Sequence, residues 1–188
     1  MSLREIIKVP NPFLKVTAKP VTVIDEDILT ILDDMMETMY HANGIGLAAT
    51  QIAIDKRLIV MDCGKTKYET QNISEEEHNE KIKDEQIEPF PIKMINPEII
   101  SLGKNLEERE EGCLSIPGYN AKIKRPSSLK VKYTDENKKD NIIDAEGLLA
   151  TCIQHEIDHL NGILFIDHLS KLKREIILKK AIKEYSKN

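Results

Sequence analysis

The chain has 188 residues, of which 40% are hydrophobic and 31% charged, and it is long enough to form one globular domain with a sizeable core. Three cysteines argue against a disulfide framework, and a net charge of −5 argues against a general nucleic-acid-binding surface. No apolar run could cross a bilayer and the first residues lack a secretory pattern, so we expect an intracellular protein without a membrane partner.

The N-terminal part predicts an arm, a helix and a strand. Three prolines disfavour a helix within residues 1–20. Apolar residues then repeat at steps of three and four between a candidate N-cap, Asp25, and a stop signal at Asn43 and Gly44. These residues are Ile28, Ile31, Leu32, Met35, Met36, Met39 and Tyr40. We interpret the methionines as core rather than ligand surface, and we expect a strand at residues 57–62.

Residues 44–51, Gly-Ile-Gly-Leu-Ala-Ala-Thr-Gln, have little side-chain bulk. Such a stretch allows another backbone to approach closely. It does not have the pattern of a phosphate loop, because neither G-x-x-x-x-G-K-[ST] nor the third glycine of G-x-G-x-x-G is present. A tight turn packed under the core is the simplest interpretation.

The middle of the chain is strongly charged. Residues 65–88 contain eight acidic and four basic residues without an apolar period, which predicts a long, flexible acidic loop that is dispensable for folding. Residues 91–100 predict a strand broken at Asn96 and Pro97. The charge run from Glu107 to Glu111 is interpreted as an exposed strand or loop.

The pattern His155-Glu156-x-x-His159 is a candidate metal site. On a helix, two histidines four residues apart lie on one face and can share a metal ion, and the glutamate can reach a water on that ion. Three further residues fall on the same side of this helix: Leu148, Thr151 and Cys152. Gly162 can terminate the helix. A partly buried helix with two structural histidines remains the alternative on this pattern alone.

The chain offers several residues as a third ligand: Cys63, Cys113, Cys152, His41 and His168. Cys152 precedes His159 by about 10.5 Å along the helix axis, which is too far to share an ion easily with both histidines. Cys63 follows the predicted strand without a turn signature. Cys113 lies among turn-forming residues and is favoured for that reason. One thiolate and two imidazoles suit zinc or ferrous iron and leave a position for water.

The C-terminal part predicts a hairpin and a final helix. Residues 128–134 and, more weakly, 141–144 alternate as strands around a hairpin turn at residues 135–140. A last amphipathic helix follows its candidate N-cap, Ser170, and its apolar side should dock on the domain. With helices near both ends and strands between them, we predict an α+β fold whose mixed or antiparallel sheets wrap around the central metal-binding helix.

Three stretches together resemble the peptide deformylase family. Residues 44–51 match G-x-G-x-A-A-x-Q, residues 111–115 match E-G-C-x-S, and residues 154–159 match Q-H-E-x-D-H. The resemblance covers nearly the whole chain and implies a single catalytic domain, residues 1–188. It implies a metal-dependent hydrolase that removes the formyl group from the N-terminal formyl-methionine of newly synthesised polypeptides. The implied cofactor is one divalent ion, Fe²⁺ in the cell, which Zn²⁺, Ni²⁺ or Co²⁺ can replace, and the implied location is the bacterial cytoplasm or an organelle of bacterial origin.

The resemblance also implies roles for individual residues. The metal ligands would be Cys113, His155 and His159. Glu156 would take a proton from the attacking water and pass it to the leaving amine. The side-chain amide of Gln51 and the backbone N–H of Leu114 would stabilise the oxyanion. The substrate backbone would pair with Ile45, Gly46 and Gly112, and the methionine side chain would contact Leu148, Thr151 and Cys152.

The chain departs from the family pattern in two places: the acidic stretch is longer than in many members, and Asn120 stands where many members have arginine. Both concern the surroundings of the substrate site rather than its chemistry. A zinc peptidase is an alternative function, against which the cysteine ligand and residues 44–51 argue. A non-catalytic metal-binding module is another, against which the complete set of motif residues argues.

The last helix suggests one further partner. Residues 171–187 contain seven basic and two acidic residues. Because nascent chains emerge beside ribosomal RNA, we hypothesise a weak, salt-sensitive contact with the ribosome through this helix, without sequence-specific recognition of nucleic acid. A solvated charged face is the simpler interpretation of the same residues.

Overall fold

A computed structural model describes residues 2–64 and 88–186, which form three α-helices and seven β-strands. The helices are α1 (Glu26–His41), α2 (Gly147–Leu160) and α3 (Lys171–Tyr185). The strands are β1 (Gly46–Ala48), β2 (Leu58–Asp62), β3 (Pro91–Leu102), β4 (Leu106–Gly112), β5 (Asn120–Pro126), β6 (Ser128–Thr134) and β7 (Asp140–Glu146). The predicted acidic loop, except for Glu88, lies outside the described residues. No helix in the described ranges has both the length and the apolar composition of a membrane span.

The strands form two separate antiparallel sheets. Five strands pair in the order β1-β2-β3-β6-β7, and β4 pairs with β5 as a hairpin of its own. β1 is therefore an edge strand of the larger sheet, and β4 has a strand neighbour on one side within the described residues. The predicted α+β architecture is confirmed, and every described strand pair is antiparallel.

Strand β2 shows how the larger sheet is covered on both faces. Leu58 and Val60 pack in the cluster that contains the buried residues of α1. Ile59 and Met61 point to the opposite face and pack in the cluster that contains α2. Because successive side chains of a strand alternate between faces, a continuous apolar strand fits this two-sided burial. From Ala150 to Leu160, α2 is buried at every position except Asp158, so the helix with the histidine pair is central, as predicted.

Helix α1 follows its sequence signals closely. The side chain of Asp25 accepts a hydrogen bond from the backbone N–H of Ile28 at 3.0 Å, which caps the first turn. The helix ends at His41, two residues before Asn43, where the predicted stop signal begins. Its methionines at positions 35, 36 and 39 are buried, which confirms their interpretation as core residues.

The predicted break at Asn96 and Pro97 is wrong, because β3 runs without interruption from Pro91 to Leu102. The strand absorbs the proline by a shift of register between Ile95 and Glu98, and Asn96 adopts a φ of +53°. The amide of Asn96 donates to the carbonyl of Val21 and accepts from its N–H, both at 2.8 Å. This bulge therefore fastens the N-terminal arm to the sheet.

Two predictions about surface exposure need correction, one for residues 107–111 and one for the last helix. Glu107–Glu111 is a strand, but Glu111 is buried rather than exposed. The last helix begins after Ser170 as expected, although no side-chain capping bond is made. Its apolar side docks only in part: Ala181 is buried and Tyr185 packs against the same cluster, while Leu172 and Ile176 remain 68% and 46% exposed.

Candidate active site

Three side chains from two parts of the fold converge on one point. Cys113, His155 and His159 offer ligand atoms that all lie within 4.8 Å of one another. The Sγ atom of Cys113 is 3.2 Å from Nε2 of His159, and the two imidazole rings have centroids 5.0 Å apart. Such a group of one thiolate and two imidazoles within bonding reach of a common point suits a divalent metal ion.

The local structure explains why these residues meet. His155 and His159 are separated by one turn of α2 and therefore share a face. Cys113 directly follows β4, in a turn where the N–H of Ile116 bonds to its carbonyl at 2.9 Å. The N–H of Ser115 also points at Sγ of Cys113, 3.4 Å away.

The pKa values of the two histidines are shifted in opposite directions. Burial, and then the neighbouring His155, hold the pKa of His159 well below its usual range, so the His159 ring stays neutral. Nδ1 of His155 lies 2.9 Å from Oε2 of Glu111. Burial would lower the pKa of His155, but its hydrogen bonds with Cys113 and Glu111 outweigh it and raise the pKa well above its usual range. The bond from Nδ1 to Glu111 leaves Nε2 as the nitrogen that faces the cluster, and a metal ion bound there would displace the Nε2 proton.

Glu111 is the centre of a buried ionic cluster that the sequence did not reveal. Nε of Arg125 lies 2.6 Å from Oε1 of Glu111, and Nη2 lies 3.1 Å from Oε2. Burial would raise the pKa of Glu111, but the hydrogen bonds from His155 and Arg125 outweigh it and lower the pKa to about 2. Arg125 also reaches Asp158 on α2 at 2.8 Å. The sequence signal was the position of Glu111, two residues before Cys113, at the start of the stretch 111–115 that matches E-G-C-x-S.

Glu156 lies beside the ligands without bonding to them. Its carboxylate is buried, and its Oε2 atom has no hydrogen-bond partner among the described residues. Burial is the largest influence on its pKa and raises it to about 7. A buried carboxylate oxygen without a protein partner fits a site that binds water or a cation, since either would satisfy it. The donor set and this oxygen together fit a catalytic metal centre.

Gln51 presents its amide nitrogen to the same site. Its Oε1 accepts the backbone N–H of Ala48 at 2.8 Å, which fixes the orientation of the amide. Nε2 then lies 3.2 Å from Oγ of Ser115 and 3.5 Å from Sγ of Cys113. The short 3-10 helix from Ala49 to Ile52 holds Gln51 in this position.

A cavity of about 400 Å³ opens onto these groups. It is lined by eleven of the twelve residues that the sequence singled out: Ile45, Gly46, Gln51, Gly112, Cys113, Leu114, Leu148, Thr151, Cys152, His155 and Glu156. His159 is buried behind it, against Cys113. Asn120 also lines the cavity. The backbone of Gly46 approaches so closely that a Cβ there would lie 2.3 Å from Oε1 of Glu156.

The other candidate ligands lie elsewhere. His41 lines a second groove, between the N-terminal arm and the end of α1. His168 bonds to Asp158 at 2.7 Å rather than to the metal cluster. Cys63 packs beside Cys152, whose thiol pKa is raised, chiefly by its contact with Cys63 and then by burial. Of the three cysteines, Cys113 is the one placed with both histidines.

The chain is similar to known deformylases over nearly its whole length. The family model for polypeptide deformylase matches residues 3–175. A peptide deformylase from Bradyrhizobium diazoefficiens is 49% identical over 180 residues, covering 96% of this chain and 95% of that protein. One from Methylocella silvestris is 47% identical over 180 residues, covering 96% and 84%.

Solved structures agree with the sequence comparisons. The crystal structure of peptide deformylase from Ehrlichia chaffeensis superposes with a TM-score of 0.85 at 38% identity, covering 99% of this chain and 98% of that one. A second crystal structure of the Ehrlichia chaffeensis enzyme, in complex with actinonin, gives a TM-score of 0.84 at 38% identity and covers 98% of both chains.

Proposed function

Because the chain belongs to the polypeptide deformylase family, we propose that its metal cluster and cavity carry out the family's hydrolysis with the motif residues described above. The protein is a metal-dependent hydrolase that removes the N-formyl group from the N-terminal formyl-methionine of newly synthesised polypeptides. The position of Glu156 carries the residue assignment, since its carboxylate lines the same cavity as Cys113 and His155 with one buried oxygen unpartnered.

The proposed metal ligands are Sγ of Cys113 and Nε2 of His155 and His159. When bound, a divalent ion at this point activates water and withdraws charge from the formyl oxygen. We propose Fe²⁺ as the ion in the cell, with Zn²⁺, Ni²⁺ or Co²⁺ as replacements, since thiolate and imidazole suit all of them. Metal analysis of anaerobically purified protein, with activity measured per ion, tests this: iron should be present and the iron-loaded enzyme fully active.

Glu156 is the proposed proton carrier. It follows the ligand His155 and lies about 100° further around the helix, so its carboxylate would stand beside a bound ion rather than on it. A carboxylate with a pKa of about 7 accepts and releases protons readily near neutral pH. Its Oε2 takes the proton of the attacking water and delivers it to the nitrogen of the leaving methionine.

Gln51 and Leu114 are proposed to bind the negative charge that develops on the formyl oxygen. The side-chain oxygen of Gln51 is held by the N–H of Ala48, so the amide is already oriented. Its Nε2, which contacts Ser115 and Cys113, would donate to the formyl oxygen. The backbone of Leu114 lies next to Cys113 and borders the same cavity. Two donors fixed before the reaction stabilise such a charge better than mobile water does.

The proposed substrate cleft lies between two backbone edges that have no strand partner within the described residues. β1 is an edge strand, and Gly112 ends β4 on the side of the cavity. An extended peptide can pair with the backbone of Ile45, Gly46 and Gly112, where the two glycines permit close approach. The methionine side chain would contact Leu148, Thr151 and Cys152. The hydroxyl of Thr151 bonds to the carbonyl of Gly147 at 3.1 Å, which leaves its methyl group for the pocket.

Substrate choice separates this function from that of a peptidase. The experiment compares a formyl-methionyl tripeptide with its N-acetyl twin and with the free tripeptide, each monitored for released acid and for cleaved peptide bonds. Rapid release of formate, with the peptide bonds intact, is expected. Cleavage of internal peptide bonds at a similar rate would favour a peptidase.

Two further proposals concern the surroundings of the enzyme. The bacterial relatives support a cytoplasmic location, where formylated chains are made.

The lysines of α3 at positions 171, 173, 179, 180 and 183 are exposed and support a weak, salt-sensitive contact with the ribosome. Ribosome co-sedimentation should fall when these lysines are replaced by glutamine. Co-sedimentation that is unaffected by the replacements would end the ribosome proposal.

A further inference from the structure

A line of polar contacts runs from the ligand His155 to the surface of the protein. Glu111 bonds to His155 at 2.9 Å and is held by Arg125 at 2.6 and 3.1 Å. Arg125 in turn lies 2.8 Å from Oδ2 of Asp158, and Nε2 of His168 lies 2.7 Å from that same oxygen. The side chains are 10%, 4%, 7%, 17% and 36% exposed in this order, so the line ends at the surface.

This line joins two parts of the fold that no strand pairing connects. His155 and Asp158 lie on α2, whereas Glu111 and Arg125 lie on the β4–β5 hairpin. Within the described residues the hairpin forms its own sheet, separate from the five-stranded one. Cys113 follows directly after this hairpin strand, so the distance between the thiolate and the two imidazoles depends on how the hairpin is fixed to the helix.

Arg125 holds Glu111 in place. Its Nη1 atom, which does not bond to Glu111, needs a partner of fixed orientation. Asp158 supplies that partner from the position before His159. His168, the last residue of the 3-10 helix Phe165–His168, donates to the Asp158 oxygen that Arg125 also uses. A carboxylate oxygen held by two donors from different elements has little rotational freedom, and so Arg125 stays aligned with both oxygens of Glu111.

We propose that Asp158 and His168 are positioning residues for the metal centre: through Arg125 they hold Glu111 against His155 and set how slowly the metal leaves. The inference rests on the proposed ligands Cys113, His155 and His159. Partners beyond the ligands commonly change metal affinity by about 10–100-fold when removed. Asp158 contacts Arg125 directly, and His168 acts one contact further out.

The test uses zinc-loaded enzyme and follows the transfer of zinc to a chelator. Asp158→Asn should release zinc about 10–100-fold faster than the wild type, and His168→Leu should give a smaller increase, about tenfold or less. His168→Gln keeps an N–H donor at a similar distance from the backbone and should restore slow release. Arg174→Gln is the matched control, because Arg174 bonds to Asp167 on the same 3-10 helix and does not contact the line of residues.

A second measurement separates positioning from a general loss of stability. The visible absorption spectrum of the cobalt-loaded enzyme reports the ligand geometry and should change in His168→Leu and return in His168→Gln. Unchanged spectra and release rates in both Asp158→Asn and His168→Leu would overturn the proposal, as would equally fast release from Arg174→Gln. The ligand assignment is judged independently by Cys113→Ala: if that variant keeps its metal, the metal site itself is wrong.

Discussion

The α-carbon of Gly46 faces the carboxylate of Glu156 so closely that no side chain fits between them. A Cβ at this glycine would lie 2.3 Å from Oε1 of Glu156 and 2.8 Å from Sγ of Cys152. Glu156 and Cys152 are both buried in α2, so neither can move aside easily. The absence of a side chain at Gly46 therefore allows Glu156, the proposed proton carrier, to occupy its position. This role is separate from any contact of Gly46 with substrate.

Gly46→Ala should disturb catalysis more than folding. We expect the enzyme to keep its metal while kcat falls about 100-fold, the effect of displacing a reacting group by about 1 Å. Gly103→Ala is the control, because its Cβ would meet Ser128 at 2.2 Å, far from the cavity. If both variants lose activity equally, the effect comes from folding, and the close contact between Gly46 and Glu156 does not affect catalysis.

The choice among the three cysteines can be tested by single substitutions. Cys113→Ala removes the thiolate next to His159 and should cost most of the bound metal and most of the activity. Cys63→Ala should change neither, since Cys63 packs against the core cluster. Metal content per chain and turnover of a formyl-methionyl peptide are the two measurements. Full metal retention in Cys113→Ala would refute the ligand assignment.

The buried pair of Glu111 and Arg125 should matter for stability as well as for the metal. Glu111→Gln leaves a buried guanidinium with one charged partner, Asp158, and should lower the free energy of unfolding of the metal-free protein by about 3 kcal/mol. Glu107→Gln removes the same charge from the same strand, but Glu107 is 43% exposed where it pairs with Arg109, so the loss should stay below about 1 kcal/mol. Equal losses in urea titrations of the two variants would contradict this.

Asp34 should make the free energy of unfolding depend on pH in the acidic range. The backbone N–H of Ser2 binds Oδ1 of Asp34 at 2.6 Å, and this bond, together with Arg4, lowers the pKa of the Asp34 carboxyl although burial opposes it. A lowered pKa in the folded state stabilises the protein above the ordinary aspartate pKa of about 3.9, and this stabilisation is lost as the pH falls below it.

The corresponding measurement is the free energy of unfolding of wild type and Asp34→Asn between pH 6 and pH 3. The difference between the two should be largest at pH 6 and should shrink as the pH falls below about 3.9. Asp33→Asn, on the same helix but half exposed and paired with Lys93, is the control. A difference that stays constant with pH would mean that Asp34 contributes by shape rather than by charge.

Local patterns predicted the elements that carry the proposed chemistry. The spacing of His155 and His159 depends only on the helix, and helical periodicity and the turn around Cys113 are visible within a few residues. These features gave the α+β fold class and indicated the cluster of Cys113, His155 and His159 that the structure brings together.

Long-range contacts explain what local patterns missed. Glu111 looks like part of a solvated charge run, and its burial depends on Arg125, 14 residues later, and on His155, 44 residues later. Asn96 and Pro97 look like a strand break, and the bulge that accommodates them is held by Val21, 75 residues away. Leu172 and Ile176 fit an amphipathic pattern, yet no described residue covers them fully.

Replacement of Glu156 by glutamine is the most direct test of the proposed chemistry. Glu156→Gln keeps the shape of the side chain but cannot accept a proton, so metal content and KM should stay near wild type while kcat falls about 10²–10⁴-fold. The measurement is steady-state hydrolysis of a formyl-methionyl peptide by protein whose metal content has been determined. Full turnover, or loss of the metal, would contradict the assignment of Glu156 as the proton carrier.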